Sequence, residues 1–314
     1  MTRAVVFAYH NVGVRCLSVL LAHGIEVPLV LTHHDNPAEA VWFDSVAELA
    51  ALHDIPTIAP DDPNAPETVA RIAALRPDFF FSFYYRQMLK AELLALPARG
   101  AYNLHGSLLP QYRGRVPVNW AVIRGARETG ATLHRMAEKP DAGEIVAQQA
   151  VPILPDDTAL DVFRKVTVAA ELTVHRALPQ LVAGSAPHRA QDLAAGSYFG
   201  GRKPEDGRID WNGTAQAVHD LVRGVAPPYP GAFTEIAGRR VRILKTLRQP
   251  GRTAACARPC LYVEDGRGYA RCGDGAVLRL LTFEIDGTLA SPAEIERQFG
   301  PSPIYPPVTG SNAS

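Results

Sequence analysis

The chain has 314 residues, of which 47% are hydrophobic and 20% charged, a globular composition long enough for two domains. Lysine plus arginine and aspartate plus glutamate number 32 each; the formal charge of zero offers no whole-chain attraction to nucleic acid, and no nucleic-acid partner is expected. No apolar run reaches the length of a signal-peptide core or a membrane span, so no membrane insertion is expected and the cytoplasm is the expected location.

The chain opens as strand, turn, helix, strand. Ala4 to Ala8 is a continuous apolar run suited to a buried parallel strand. Tyr9 to Gly13 reads as the turn, and Val14 to His23 carries apolar residues at helical spacing with Gly24 behind it. Val27 to Leu31 is the next strand, Ser45 to Leu52 a helix, and Ile55 to Ile58, Phe79 to Phe83 and Ala101 to Leu104 further strands. Strands alternating with helices imply a parallel sheet with crossover helices, a Rossmann-like α/β fold. The first turn holds Gly13 but no G-x-G-x-x-G pattern, which disfavours a nicotinamide or flavin dinucleotide.

Apolar runs at Thr132 to Met136 and Ile145 to Val151 bracket a polar loop, and helical spacing resumes from Ala159 to Val182. The expected organisation is a catalytic domain over 1–190, a linker over 191–204 and a β-rich, OB-like barrel domain over 205–305, with a mobile tail at 306–314. In the second domain a helix is expected at Ala215 to Val222. Strands are expected at Val241 to Lys245, Leu261 to Glu264, Gly268 to Cys272 and Val277 to Phe283. The cysteines are Cys16, Cys256, Cys260 and Cys272. Their spacing is not a paired C-x-x-C framework, so free thiols are expected rather than a zinc site, and no metal is expected.

The richest segment is Asn103-Leu104-His105-Gly106-Ser107-Leu108-Leu109-Pro110, followed by Arg113-Gly114-Arg115. Residues two apart on a strand face one side, and strand carboxyl ends are where open α/β sheets bind ligands. Asp141 sits in the loop between the two later apolar runs, at Lys139-Pro140-Asp141-Ala142-Gly143. An amide, an imidazole and a carboxylate together suit acyl transfer. The amide stabilises an oxyanion, the imidazole moves protons near neutral pH, and the carboxylate favours the imidazolium. On residues alone, Asn-x-His at a strand end also describes a capped turn or a hydrogen-bonded core histidine, and both readings stay open. Ser107 lies outside a G-x-S-x-G elbow, which argues against a serine nucleophile. His33, His34 and His134 carry no interpretable spacing.

These motifs resemble the folate-dependent formyltransferases, whose hallmark is Asn-x-His, then Ser-Leu-Leu-Pro and Arg-Gly, then a distant Asp-x-Gly. Here these are Asn103 to Pro110, Arg113-Gly114 and Asp141-Ala142-Gly143. Within that family the similarity is greatest to the sugar-nucleotide N-formyltransferases that act on UDP-4-amino-4-deoxy-L-arabinose in lipid A modification, a step of lipopolysaccharide biosynthesis linked to antibiotic resistance. It runs through Val5 to His10, Thr32-His33, Asp35-Asn36-Pro37, Phe81 to Arg86, Tyr112 to Arg115, Asn119-Trp120, Thr132 to Met136, Phe199-Gly200, Arg202 and Pro230 to Phe233. The resemblance implies His105 as general acid/base, Asn103 as transition-state stabiliser and Asp141 as the group that raises the histidine pKa. It implies 10-formyltetrahydrofolate as co-substrate, contacted by Gln87, Met88, Leu89, Arg115, Ala137, Glu138, Lys139, Pro140 and Asp141. One departure stands out: many relatives carry a UDP-glucuronate decarboxylase domain behind the transferase, for which this sequence has no room, so the expectation is either that another protein decarboxylates the sugar or that this is a stand-alone transferase.

For the UDP-amino sugar, Arg202 or Lys203 offers phosphate donors, against the alternative of a solvated basic loop, and His10 and Tyr9 stand at the first turn. Another nucleotide-linked amino sugar and initiator methionyl-tRNA are the alternative acceptors. Oligomeric state has no signal in the sequence.

Overall fold

The computed structural model describes residues 1–36 and 41–306. Pro37, one of the resemblance positions, and the tail expected at 306–314, from 307 on, lie outside the described residues. The chain divides into two compact units: 1–117 with 128–152 and 163–200, and 118–127 with 153–162 and the chain from Gly201 onward.

The elements begin with β1 (Arg3–Ala8), α1 (His10–Ala22), β2 (Glu26–Leu31), α2 (Val46–Leu52) and β3 (Thr57–Ile58). Next come α3 (Pro66–Ala74), β4 (Phe79–Phe83), α4 (Ala91–Leu94), β5 (Ala101–His105) and β6 (Arg113–Gly114). Then follow α5 (Pro117–Ile123), β7 (Glu128–Arg135), β8 (Ile145–Pro152), α6 (Ala159–Ala183) and β9 (Tyr198–Phe199).

The first unit is built on a seven-stranded sheet of order β3-β2-β1-β4-β5-β7-β8. Its first five strands pair in parallel, as the apolar runs imply. Every residue of β4, Phe-Phe-Phe-Ser-Phe, is buried, because a central parallel strand is covered on both faces. The parallel sheet expected from the alternation stands, with one correction to its extent: the edge pairs β5–β7 and β7–β8 are antiparallel. The β7–β8 connection is too short for a crossover helix, so that pair can only run antiparallel.

A second correction concerns the first turn. Helix α1 starts at His10, not after Gly13, and His10 itself has φ 67°. Gly13 therefore lies inside the helix. A Cβ there would stand 2.9 Å from Val46 Cγ2 and 3.2 Å from Ala8 Cβ, so its bare backbone lets α1 lie close against β1 and α2. The short helices α3, α4 and α5 have no counterpart in the sequence reading.

The second unit carries α7 (Ala215–Gly224), β10 (Ala232–Ile236), β11 (Arg239–Gln249), β12 (Cys260–Glu264), β13 (Arg267–Arg271), β14 (Val277–Ile285), β15 (Thr288–Leu289) and α8 (Pro292–Phe299). Its strands form an antiparallel sheet of order β10-β11-β14-β13-β12, with β15 on β14. The β11–β14 register shifts between Ile243 and Thr246, and such bulges increase twist and bend a strand. The result is a curled half-barrel, as the β-rich reading implies. Val218 and Val222 of α7 share a core with Val241, Ile243, Leu278 and Phe283. Helix α8 was not expected; its Ser291 cap accepts from the Glu294 N–H, but its mostly polar sequence hides the helix.

The expectation of four free thiols also fails. Cys256 and Cys260 form a disulfide with Cα atoms 6.9 Å apart, while Cys16 and Cys272 are free and buried. The irregular stretch between Cys256 and β12 folds back on itself, which a spacing of four does not reveal. Among the described residues, no helix is long and apolar enough to cross a membrane.

The polar face of α7 ties down the segment 154–157. Asp220 Oδ1 lies 2.7 Å from both Nε and Nη2 of Arg223, with both side chains buried. Arg223 Nη1 donates to the Asp157 carbonyl at 2.9 Å. Removing one partner of such a pair strands a buried charge at a cost of about 3–5 kcal/mol. Asp220→Ala is therefore expected to lower unfolding stability by roughly that amount, measured by urea titration; a loss under about 1 kcal/mol would show the pair to be solvated.

Candidate active site

The sheet order reverses between β1 and β4: β2 and β3 lie on one side, β5 on the other. Ligands bind outside the strand carboxyl ends at such a reversal. Those ends deliver Tyr9 and His10 after β1, Tyr84 to Arg86 after β4, and His105 and Gly106 at β5. A Cβ at Gly106 would collide with the Tyr84 hydroxyl, so this glycine admits the tyrosine beside the site.

Asn103 and His105 face the same side of β5, as their spacing implies. Antiparallel pairing sets Asn103 opposite His134 and His105 opposite Thr132. Asn103 Nδ2 lies 3.1 Å from His134 Nε2. His134 Nδ1 lies 3.0 Å from the Arg135 carbonyl, which only accepts, so Nδ1 carries the proton and Nε2 receives the Asn103 N–H. One Asn103 N–H is thus used, and among the described residues the second meets no acceptor. Thr132 donates to the Ser107 carbonyl at 2.6 Å and accepts from Leu109 N–H at 3.1 Å and Gln148 Nε2 at 2.9 Å. This buried, satisfied network fixes the turn after His105.

His105 is buried between two acceptors. Its Nε2 donates to the Tyr112 carbonyl at 2.8 Å, and its Nδ1 faces Asp141 Oδ1 at 3.5 Å. A neutral imidazole has one N–H and satisfies one of them; the imidazolium satisfies both. Burial lowers the His105 pKa below its ordinary value, against the upward pull of Asp141 and the Tyr112 carbonyl and with a smaller downward push from His134. Asp141 thus raises the histidine pKa, but the net shift is downward because burial outweighs it. The ring rests neutral at pH 7, able to accept a proton and with a partner waiting for it.

Asp141 reaches the site from the β7–β8 loop, at a backbone φ of 52°. Its Oδ2 accepts from the Gly114 N–H at 2.9 Å, and its Oδ1 is 3.6 Å from His134 Nε2. Burial works to raise its pKa. The charged forms of His105 and His134 and the Gly114 N–H outweigh that and hold the carboxyl well below the usual range. Among the described residues, no three His, Cys, Asp or Glu side chains gather as a metal site.

The formyl transferase family matches residues 14–182, and the formyl transferase C-terminal domain matches residues 202–294. The chain belongs to the formyl transferase family. Its fold is similar to that of an N-formyltransferase from Helicobacter canadensis, in complex with folinic acid and dTDP-3-aminofucose, with TM-score 0.68 and 18% identity over 89% of this chain and 99% of that one. It is also similar to WlaRD, a sugar 3N-formyl transferase in the presence of dTDP and 5-N-formyl-THF, with TM-score 0.69 and 19% identity over 89% and 97%. A sugar N-formyltransferase from Shewanella sp. FDAARGOS_354 has TM-score 0.62 and 22% identity over 77% and 96%.

In this formyl transferase, the two segments expected to contact folate leave one apolar cluster. Leu89 is buried in it and Met136 packs against it. Gln87 Nε2 donates to the Asp61 carbonyl at 2.7 Å and its Oε1 accepts from Tyr85 Oη at 2.8 Å, so its side chain is already engaged. Met88 is 55% exposed, and Ala137, Glu138, Lys139, Pro140 and Arg115 are exposed. His10 stacks on Phe43 with ring centroids 3.9 Å apart and meets Trp42 and Phe163 edge-on. Burial, then Arg86, push its pKa down to about 3, so it is uncharged. Tyr9 donates to Asp35 at 2.6 Å. In the second unit, Arg202 lies over the Trp120 ring at 4.9 Å and donates to the Asp206 carbonyl at 3.0 Å, while Lys203 is exposed.

His134, Thr132 and Gln148 are site residues that the sequence reading misses. Their signal is the β5–β7 register, which sets a histidine opposite Asn103. The Asp141 shift has a stability consequence. A carboxyl whose pKa is depressed by folding stabilises the native state above its unfolded value, and that contribution fades as pH falls through the folded value. The stability gap between the wild type and Asp141→Asn, measured by urea titration, is thus expected to be flat from pH 8 to about pH 5 and to narrow below about pH 4. A gap unchanged down to pH 2 would contradict the charge pairing.

Proposed function

We propose that this formyl transferase moves a formyl group from 10-formyltetrahydrofolate to the amine of a nucleotide-linked sugar, the acceptor being the 4-amino group of UDP-4-amino-4-deoxy-L-arabinose. The observation that carries the reading is His105 held between the Tyr112 carbonyl and Asp141, beside an Asn103 amide whose second N–H meets no acceptor among the described residues. Residues 1–190 are the proposed catalytic domain, joined through 191–204 to the domain at 205–305.

10-Formyltetrahydrofolate supplies a formyl carbon already activated on nitrogen. Asn103 donates to the oxyanion that forms when the acceptor amine adds to that carbon. His105 takes the proton lost by the attacking nitrogen and delivers one to the folate nitrogen as the C–N bond breaks. The products are the N-formylated sugar nucleotide and tetrahydrofolate, and no bond to the protein forms. Asp141 supports the charged ring in between. The residues fit the folate: Met88 and the Leu89 cluster offer an apolar flank to a flat ring. The exposed Ala137–Pro140 backbone offers donors and acceptors to its amide-like edge, next to Asp141.

The sugar-nucleotide class is supported by similar structures that are sugar N-formyltransferases. The arabinose acceptor is supported by the motif matches from Phe81 to Arg86 and from Thr132 to Met136. Within the first unit, the uncharged His10 suits a sugar hydroxyl. A second reading, a dTDP-linked 3-amino sugar, is favoured by the ligand of the Helicobacter canadensis enzyme.

Incubation with 10-formyltetrahydrofolate and UDP-4-amino-4-deoxy-L-arabinose, dTDP-amino sugars or initiator methionyl-tRNA is expected to formylate the UDP sugar fastest. Formylation of tRNA alone would overturn the acceptor class. His105→Ala is expected to cut turnover by about 10²–10⁴, and Asn103→Ala by about 10²–10³; near-normal turnover in either would contradict its role.

A further inference from the structure

The stretch around 191–204 reads from composition as a connector, yet its first part lies across the loops that hold the partners of His105. Ile145 and Arg189 exchange backbone hydrogen bonds at 2.8 and 2.9 Å, which anchors the stretch beside β8. Gln191 Nε2 then donates to the carbonyls of Asp141, at 3.1 Å, and Gly143, at 2.6 Å. Six residues on, Ser197 Oγ accepts the Tyr112 N–H at 2.9 Å, and the Ser197 carbonyl accepts the Arg113 N–H at 2.9 Å. Phe199 closes the contact by accepting the Arg115 N–H at 2.9 Å.

The residues so gripped are the two that flank the imidazole. Tyr112 supplies the acceptor for Nε2, and Asp141 the acceptor facing Nδ1. Both sit in the left-handed backbone region, at φ 55° and 52°, which non-glycine residues keep only where the surroundings over-determine them. Gln191 Oε1 is buried and finds no donor among the described residues. Packing alone does not account for an orphaned buried amide oxygen; its two Nε2 bonds to the Asp141 loop do.

We propose that residues 189–199 form a strap in which Gln191 and Ser197 are positioning residues, one aiming Asp141 and the other the Tyr112 carbonyl at the two nitrogens of His105. The strap thereby sets the proton affinity of His105 from both sides. The titratable groups facing the ring are Asp141 from the β7–β8 loop and His134 from β7; the strap itself adds no charge there, so it acts only through orientation. The inference rests on the role proposed for His105, but its first readout does not require turnover.

The test is ¹⁵N NMR of His105 in the full chain without substrate, with Gln191→Met, Ser197→Ala and Ser197→Thr. In the wild type at neutral pH the proton is expected on Nε2; a proton on Nδ1 overturns the proposal without any variant having to fold. Gln191→Met and Ser197→Ala are expected to lower the His105 titration midpoint, because each loosens an acceptor that favours the imidazolium. Ser197→Thr, which keeps the hydroxyl, is expected to restore the wild-type midpoint. In turnover, kcat is expected to fall about ten-fold in Gln191→Met, with the acidic limb of its pH profile moved to lower pH and KM for the acceptor little changed. Variants that fold and keep the wild-type midpoint and pH profile would reduce the strap to a structural brace. A shifted midpoint in a protein that formylates no acceptor would sustain the positioning role and refute the proposed function.

Discussion

The site depends on one arrangement: a buried imidazole with an acceptor on each side. The Tyr112 carbonyl accepts the hydrogen bond of its Nε2–H, and Asp141 stands opposite Nδ1. Burial favours the neutral ring, while the two acceptors favour the charged one. Burial is the larger influence and leaves the ring neutral, with the second acceptor already in place for a second proton. The proton-transfer role proposed for His105 calls for a ring whose neutral and charged forms both find partners.

The fold explains how such a balance is held. Parallel strands β1, β4 and β5 end side by side where the strand order reverses, and their buried apolar residues make the ends rigid. Antiparallel β7 then brings His134 and Thr132 to the face of β5 that carries Asn103 and His105. His134 accepts one Asn103 N–H, and among the described residues the other meets no acceptor. Thr132 fixes the turn through Ser107 and Leu109. Asp141 follows from β7 through a loop whose Gly143 lies against the Arg135 carbonyl, where a Cβ has no room.

Much of this was legible in the sequence, for reasons that differ by element. The core strands showed as continuous apolar runs because both sheet faces are covered, and Phe79 to Phe83 matches its strand at both ends. Asn103, His105 and Asp141 stood out because their motif is specific. His134 did not, since its meaning depends on a register between strands some thirty residues apart. The start of α1 was hidden by Gly13, which looks like a turn residue and is a packing residue. The Cys256–Cys260 disulfide depends on an irregular stretch with no sequence period. The polar composition around Gln191 resembles any exposed connector, and its contacts appear only when the chain is folded.

The central claim is direct transfer from donor to amine, with His105 moving protons and never carrying the formyl group. The most direct measurement is rapid quench of the enzyme mixed with formyl-labelled 10-formyltetrahydrofolate, first alone and then with the amino-sugar nucleotide. Direct transfer predicts no label on the denatured protein in the first case and label only in the acceptor's new amide in the second. Label retained on the protein with the donor alone would contradict it.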